Sequence, residues 1–169
     1  MSPAVLAKPF DGSIMKSMEM RDITREAIII DEDASLREAL ALMIARQTNS
    51  LLTVNQSGEL SGEVGVSDLL DAIVPISMDG DRVLEALGTE EAFKDAVKDA
   101  ADKTVRDFMN VDIQPVRIND SLIAIAGIAI AHQSARIPVV DHENKPIGVI
   151  SRRGMKHILA TFLGIRDDA

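Results

Sequence analysis

The chain has no cysteine, tryptophan or tyrosine, and four phenylalanines are its only aromatic residues. Without cysteine there is no disulfide staple, which agrees with a reducing compartment. At 169 residues none is needed, since a chain of this length buries about two-thirds to 70% of the surface its unfolded form exposes. With so few aromatics, Ile, Val, Leu, Ala and Met must fill the interior. The same scarcity leaves no platforms for stacking bases, and a net charge of −9 repels a phosphate backbone, so nucleic acid is excluded as a partner. No apolar run reaches the eighteen or so residues of a membrane span, and Met1 to Gly12, interrupted by Lys8-Pro9, has no signal-peptide core. We therefore expect a cytoplasmic protein without a membrane partner, with residues 1–17 as a loosely held leader.

Enzyme signatures are missing too. Ser13-Ile14-Met15-Lys16 fits Ser-x-x-Lys, but no Ser-Asp-Asn or Lys-Thr-Gly follows it. His132, His142 and His157 stand at no metal-ligand spacing, and there is no Walker loop or Gly-x-Gly-x-x-Gly. The eight methionines are scattered, as gap-fillers in an aromatic-poor core would be.

What is present is a repeat. Leu122 to Ala131 is apolar without interruption and too long for a typical strand, which leaves a buried helix. Strand patterns follow at Ile137–Val140 and Ile147–Ile150, and Ser151-Arg152-Arg153 opens a second helix through Leu163. Moved by 86 positions, the chain meets itself: Ser35-Leu36 falls on Ser121-Leu122, Ile44-Ala45 on Ile130-Ala131, Val54 on Val140 and Gly62 on Gly148. Matching lead-ins, Met20-Arg21-Asp22-Ile23 and Val105-Arg106-Asp107-Phe108-Met109, precede the copies. Each runs into a short strand, at 27–30 or 113–118.

Taken in order, Asp107-Phe108-Met109, Ser35-Leu36-Arg37-Glu38-Ala39, Pro138 to Asp141 and Gly148-Val149-Ile150-Ser151 resemble the pieces of the CBS motif. The resemblance covers residues 20 to 163 and is to a tandem pair, or Bateman module. It implies an α/β (α+β) fold of two CBS motifs, each a small sheet with two helices, related by pseudo-twofold symmetry. The expected division is motif 1 at 18–76, an acidic helical insert at 77–102, motif 2 at 103–164 and a tail at 165–169.

In motif 1, Asp33 is the expected N-cap of a helix over Ser35 to Gln47, with Leu36, Leu40, Met43 and Ile44 on its buried face. Strands at 51–54 and 63–66 flank the turn Asn55-Gln56-Ser57-Gly58, and Pro75 ends the helix that opens at Ser67. The insert carries Asp79, Asp81, Glu85, Glu90, Glu91, Asp95, Asp99 and Asp102 against Arg82, Lys94 and Lys98. Its apolar spacing predicts two short helices, with Gly88-Thr89 as stop and new N-cap. We read it as a solvated linker stapled to the core rather than as an acidic docking face. The helix of motif 2 has no polar face before His132 and must be covered on almost every side, by its own sheet and by another helix of the chain or of a second subunit. Taken with the resemblance, this leads us to expect a homodimer.

The expected ligand position is the strand-to-helix junction of each copy, where free N–H groups and the helix dipole suit a phosphate. In motif 2 it holds Ser151, Arg152 and Arg153, followed by Lys156 and His157, a basic cluster in an acidic chain. Surface pairing of these arginines would be worth only about 0–1 kcal/mol. First-turn arginines oppose the dipole, so an anion is the better reason for them. The resemblance implies a Thr/Ser-x-x-Asp junction gripping ribose and phosphate, with adenine against backbone near the Pro-Val-Val strand. Motif 2 has Ser151 but Gly154 in place of the acid; motif 1 has Asp68 but Gly65 in place of the hydroxyl, and Leu52 where motif 2 has Pro138. A missing charged hydrogen bond could weaken a ligand by about 1.5–3 kcal/mol. The expected ligand residues are Gly65, Asp68, Ala27, Ser50 and Leu51 in the first site. In the second they are Ser151, Arg152, Arg153, Asp112, Ile113, Gln114, Ala135, Arg136, Ile137 and Pro138.

Function is thus expected to be regulatory and non-catalytic. The chain would bind AMP, ADP, ATP or S-adenosylmethionine in the cleft between the motifs, require no cofactor or metal, and signal to a protein partner by a change of conformation or dimer packing. The rival is a structural or adaptor dimer whose degenerate sites take no ligand.

Overall fold

Both copies of the repeat put their backbone hydrogen bonds into a small sheet with helices against it. The computed structural model describes residues 20–74, 79–132 and 136–165; the expected leader, Pro75 and Ala135 lie outside them. In chain order the elements are α1 (Met20–Ile23), β1 (Thr24–Arg25), β2 (Ile29–Asp31), α2 (Leu36–Arg46), β3 (Ser50–Val54), β4 (Leu60–Gly65), α3 (Val66–Ile73), α4 (Gly80–Leu87), α5 (Glu90–Ala100), α6 (Val105–Phe108), β5 (Val116–Arg117), α7 (Leu122–His132), β6 (Arg136–Val140), β7 (Pro146–Ser151) and α8 (Arg152–Phe162). The fold class is mixed α/β. The described residues fall into two compact units: one within residues 27–113 with 143–146, the other of residues 20–26 with 114–132, 136–142 and 147–165.

The first unit is built on the sheet β2-β3-β4, with β2 parallel and β4 antiparallel to β3. Its core joins Ile30, Leu51 and Val64 of the sheet to Leu36, Ala39 and Met43 of α2 and to Leu69 and Ala72 of α3. Asp33 does not cap α2. Ser35 does, its hydroxyl accepting from the Glu38 N–H at 3.2 Å while its own N–H donates to Glu38 Oε2 at 2.7 Å. Asp33 is held outside the helix in an ion pair with Arg106. The buried face of α2 is half the expected one: Leu36 and Met43 are buried, but Ala39 stands between them in the core, whereas Leu40 is 41% and Ile44 72% exposed.

The Ser35 backbone N–H, and with it the Ser35 hydroxyl, holds the Glu38 carboxyl below its ordinary 4.5. A depressed carboxyl stabilises above its unfolded pKa and loses that contribution as pH falls through the folded value. The protection of the amides in the first turn of α2, read as the exchange rate relative to the intrinsic rate at each pH, should therefore fall on acidification below about 4.5, and Glu38→Gln should flatten that response.

The acidic insert forms the two helices its spacing predicts. Asp79 caps α4 by accepting from Arg82 N–H at 2.9 Å, and Thr89 caps α5 by accepting from Ala92 N–H at 3.1 Å. α5 packs on α3 and delivers Ala100 to the core, and Lys103 Nζ donates to Ala72 O at 2.6 Å at the end of α3. Beyond it, Val105 of α6 is fully buried and Asn110 exchanges both backbone hydrogen bonds with Glu63 of β4. The turn at 143–146 belongs to this unit, with Leu60 N–H donating to Asn144 O at 2.9 Å.

The second unit carries the sheet β1-β7-β6-β5, in which β5 runs parallel to β6 and β1 antiparallel to β7. Ile125, Ile137, Val139, Ile150 and Ile158 form its core with Ile23 and Met20 of α1. Within this chain only Ile125 of α7 is buried, while Ile123 is 68% and Ile130 79% exposed, so its own sheet covers the helix along one line.

Candidate functional site

The first junction is the passage from β4 to α3. Gly65 ends the strand in extended backbone and caps the helix, donating its N–H to Asp68 Oδ2 at 2.7 Å. The acid thus sits in the first turn, where the helix dipole favours it. Ser50 lies opposite Gly65 in the β3–β4 ladder, and Asn49 O accepts the Val66 N–H at 3.2 Å. Ala27 comes one residue before Ile28, whose carbonyl accepts the Leu52 N–H at 2.9 Å. Gly65, Asp68, Ser50, Leu51 and Ala27 are therefore all placed in one unit by one strand–helix turn and its neighbouring strand. Leu51 is core, so its side chain faces Val64 and the helices; only its backbone is left to face a ligand.

The second junction is the passage from β7 to α8. Ser151 caps α8 in extended backbone without a side-chain hydrogen bond to the helix. Arg152 and Arg153 are exposed, and among the described residues neither has an ion-pair partner. Arg136 is half-buried at the start of β6, and Ile137 and Pro138 are buried behind it. Of the remaining expected residues, Asp112 and Ile113 are grouped with the first unit and Gln114 with the second.

The missing acid of this junction has a steric cause. Gly154 is buried in the first turn of α8, and a Cβ there would stand 2.9 Å from Ile23 O and 3.1 Å from Ile150 Cγ2. A carboxylate side chain has no room at that position while α1 is seated. At the first junction the gap is open: a Cβ on Gly65 would meet Asn49 O and Asp68 Oδ2 at an ordinary 3.6 Å.

Two glycines that the repeat brings into register, and to which the sequence alone assigned no role, lie in the strands that lead to the two junctions. Gly148 of β7 lies under Thr24 and Arg25, whose carbonyl would be 2.6 Å from an added Cβ; Gly62 of β4 lies under Asn110, whose carbonyl would be 2.7 Å away. The two glycines are the ones that coincide in the repeat, and that coincidence was the available signal. Among the described residues no group of three His, Cys, Asp or Glu could hold a metal ion, and no helix is long and apolar enough to cross a membrane.

Residues 20–75 and 105–160 match the CBS domain family. An uncharacterized protein of Methanocaldococcus jannaschii is 26% identical over 147 residues, which are 80% of this chain and 87% of that protein. Among solved structures, a CBS domain-containing protein of unknown function from Kribbella flavida is similar with a TM-score of 0.69 at 21% identity, covering 85% of this chain and 98% of that one. The cytosolic domain of the Mg2+ channel MgtE, solved in complex with ATP, is similar with a TM-score of 0.58 at 17% identity, covering 80% of this chain but 46% of that one.

Proposed function

Because the chain belongs to the CBS domain family, and carries the domain twice, we propose that it is a regulatory, non-catalytic CBS pair that binds an adenine nucleotide or related adenosyl ligand at its strand-to-helix junctions. CBS pairs generally bind adenosyl ligands and regulate, and the MgtE structure holds ATP. The observation that carries the reading is the start of α8. Two exposed arginines without ion-pair partners among the described residues stand on a helix N-terminus, in a chain of net charge −9. That position draws a phosphate. At the first junction Asp68 spends one oxygen on the Gly65 N–H, and its other oxygen serves a ligand hydroxyl.

Binding regulates only so far as it favours one arrangement of the protein over another. The test is thermal melting with AMP, ADP, ATP and S-adenosylmethionine in turn. A ligand at about a hundred times its dissociation constant adds roughly 2.7 kcal/mol. Arg152→Glu should abolish the shift of a phosphate-bearing ligand and leave the unliganded stability within about 0.5 kcal/mol of wild type. No shift with any of the four would overturn the reading.

A second reading, an adaptor dimer without ligand, is favoured by the incompleteness of both junctions. It predicts no ligand-dependent melting in wild type. Both readings include a cytoplasmic homodimer, supported by the exposed line of Ile123 and Ile130 on α7, since soluble proteins keep such apolar faces covered. Ile130→Lys should then shift sedimentation toward the monomer with the fold intact. A wild-type protein that sediments as a monomer at micromolar concentration would sink the dimer.

A further inference from the structure

The lead-ins that lie over the two junctions are exchanged, and we infer that the exchange couples one junction to the other. Thr24 and Arg25 pair with Ile150 and Val149 of β7, and Ile23 O lies against Gly154 in the first turn of α8. Only Glu26 and Ala27 separate this seated strand from Ile28, whose carbonyl holds the Leu52 N–H of β3. The other lead-in does the same in reverse. Asn110 is seated on Glu63 of β4, over Gly62, and the chain runs through Asp112 and Gln114 to Val116, which pairs with Val139 of β6.

Each lead-in is therefore pinned at one end beside one junction and at the other end within the ligand wall of the other. A fully extended chain reaches about 3.3–3.6 Å per residue, so the crossing from Arg25 to Ile28 can reach at most about 10 Å. The pinned end cannot absorb a shift by bending, since the glycine beneath it already leaves backbone and strand in contact. On the reading of Ala27 and of Asp112 to Gln114 as ligand walls, which this inference adopts from the proposed function, a ligand pressing on Ala27 loads β1 and the first turn of α8. A ligand against Asp112 to Gln114 loads β4 and the cap of α3. Coupling of this kind is reciprocal by thermodynamic necessity.

The experiment compares calorimetric titration of the full chain with ATP against a variant carrying two glycines inserted between Glu26 and Ala27. Wild type should fill two sites whose affinities depend on each other by about 5–150-fold, and the insertion should bring them to within about twofold of independence. Two independent sites in wild type would overturn the inference, as would coupling that survives the insertion. A ligand-free measurement separates it from the nucleotide reading: Gly154→Ala pushes on Ile23 O and should raise exchange of the Leu52 amide by about tenfold or more, an effect the insertion removes. Thr24→Ala, which takes away the methyl over Gly148 and the hydroxyl that donates to Met20 O at 2.7 Å, loosens the seat of β1 instead and is the second variant if Gly154→Ala does not fold. If ATP gives no heat or fills a single site, the exchange result decides: a raised Leu52 rate upholds the coupling, and an unchanged one ends it.

Discussion

Alanine at Gly148 lowers the stability of its unit by about 3 kcal/mol, the upper end of what overpacking a closed site does. The added methyl meets the Thr24 side chain and the Arg25 carbonyl, and backbone that is hydrogen-bonded in the β1–β7 ladder does not move aside cheaply. The equivalent change at Gly62, against Asn110 O and Met109 Sδ, should be comparable. Gly127→Ala is the control: that glycine lies inside α7 with open space around it, and alanine there should stabilise by about 0.5–1 kcal/mol through helix propensity alone. Denaturant midpoints for the three variants check the set. A Gly148→Ala protein as stable as wild type would mean that β1 is not seated on β7.

Ile125→Ala should be the most damaging single change in α7, lowering stability by about 2–5 kcal/mol. Ile125 is the helix's one buried side chain, packed among Ile137, Val139 and Ile150. Truncating it removes the contact that seats the helix and leaves a cavity behind it. Ile123→Ala, on the exposed side, should stay within about 0.5 kcal/mol when measured at a concentration too low for association. Equal losses at 123 and 125 would show that the helix is buried on both sides.

α7 shows why some of the architecture was legible in the sequence and some was not. Its existence and length follow from an uninterrupted apolar run too long for a strand, the strand pair from the short apolar stretches after it, and the 86-residue repeat carries the same assignment into the first copy. Thr89 was readable as a cap because a hydroxyl after a glycine and before a helical run has little other use there. Which face of a uniformly apolar helix turns inward was not readable, since hydrophobicity has no direction when every side is alike. In α2, which carries Arg37, Glu38 and Arg46, spacing was informative for Leu36 and Met43, but small Ala39 went in while Leu40 and Ile44 came out on the surface. The cap at Ser35 rather than Asp33 was decided by Glu38, three residues on, which completes the reciprocal pair. Both junctions were visible as sequence. The exchange of their lead-ins was not, because a two-residue strand held by backbone hydrogen bonds leaves no side-chain pattern; its only trace is the paired glycines at 62 and 148. Gly154 likewise read as a loss from the family's pattern, when the passage of Ile23 over α8 forbids anything larger.

The seating of β1 on β7 also bears on how the protein is made. Thr24 and Arg25 leave the ribosome well before their partner strand, which is synthesised only after residues 26–145 have followed. At about 5–20 residues per second that interval is on the order of ten seconds, long enough for the sheet of residues 29–65 to close first. Nascent chains therefore pass through a stage in which β1 is still waiting for β7, and products that stop before Pro146 would leave it permanently unmatched.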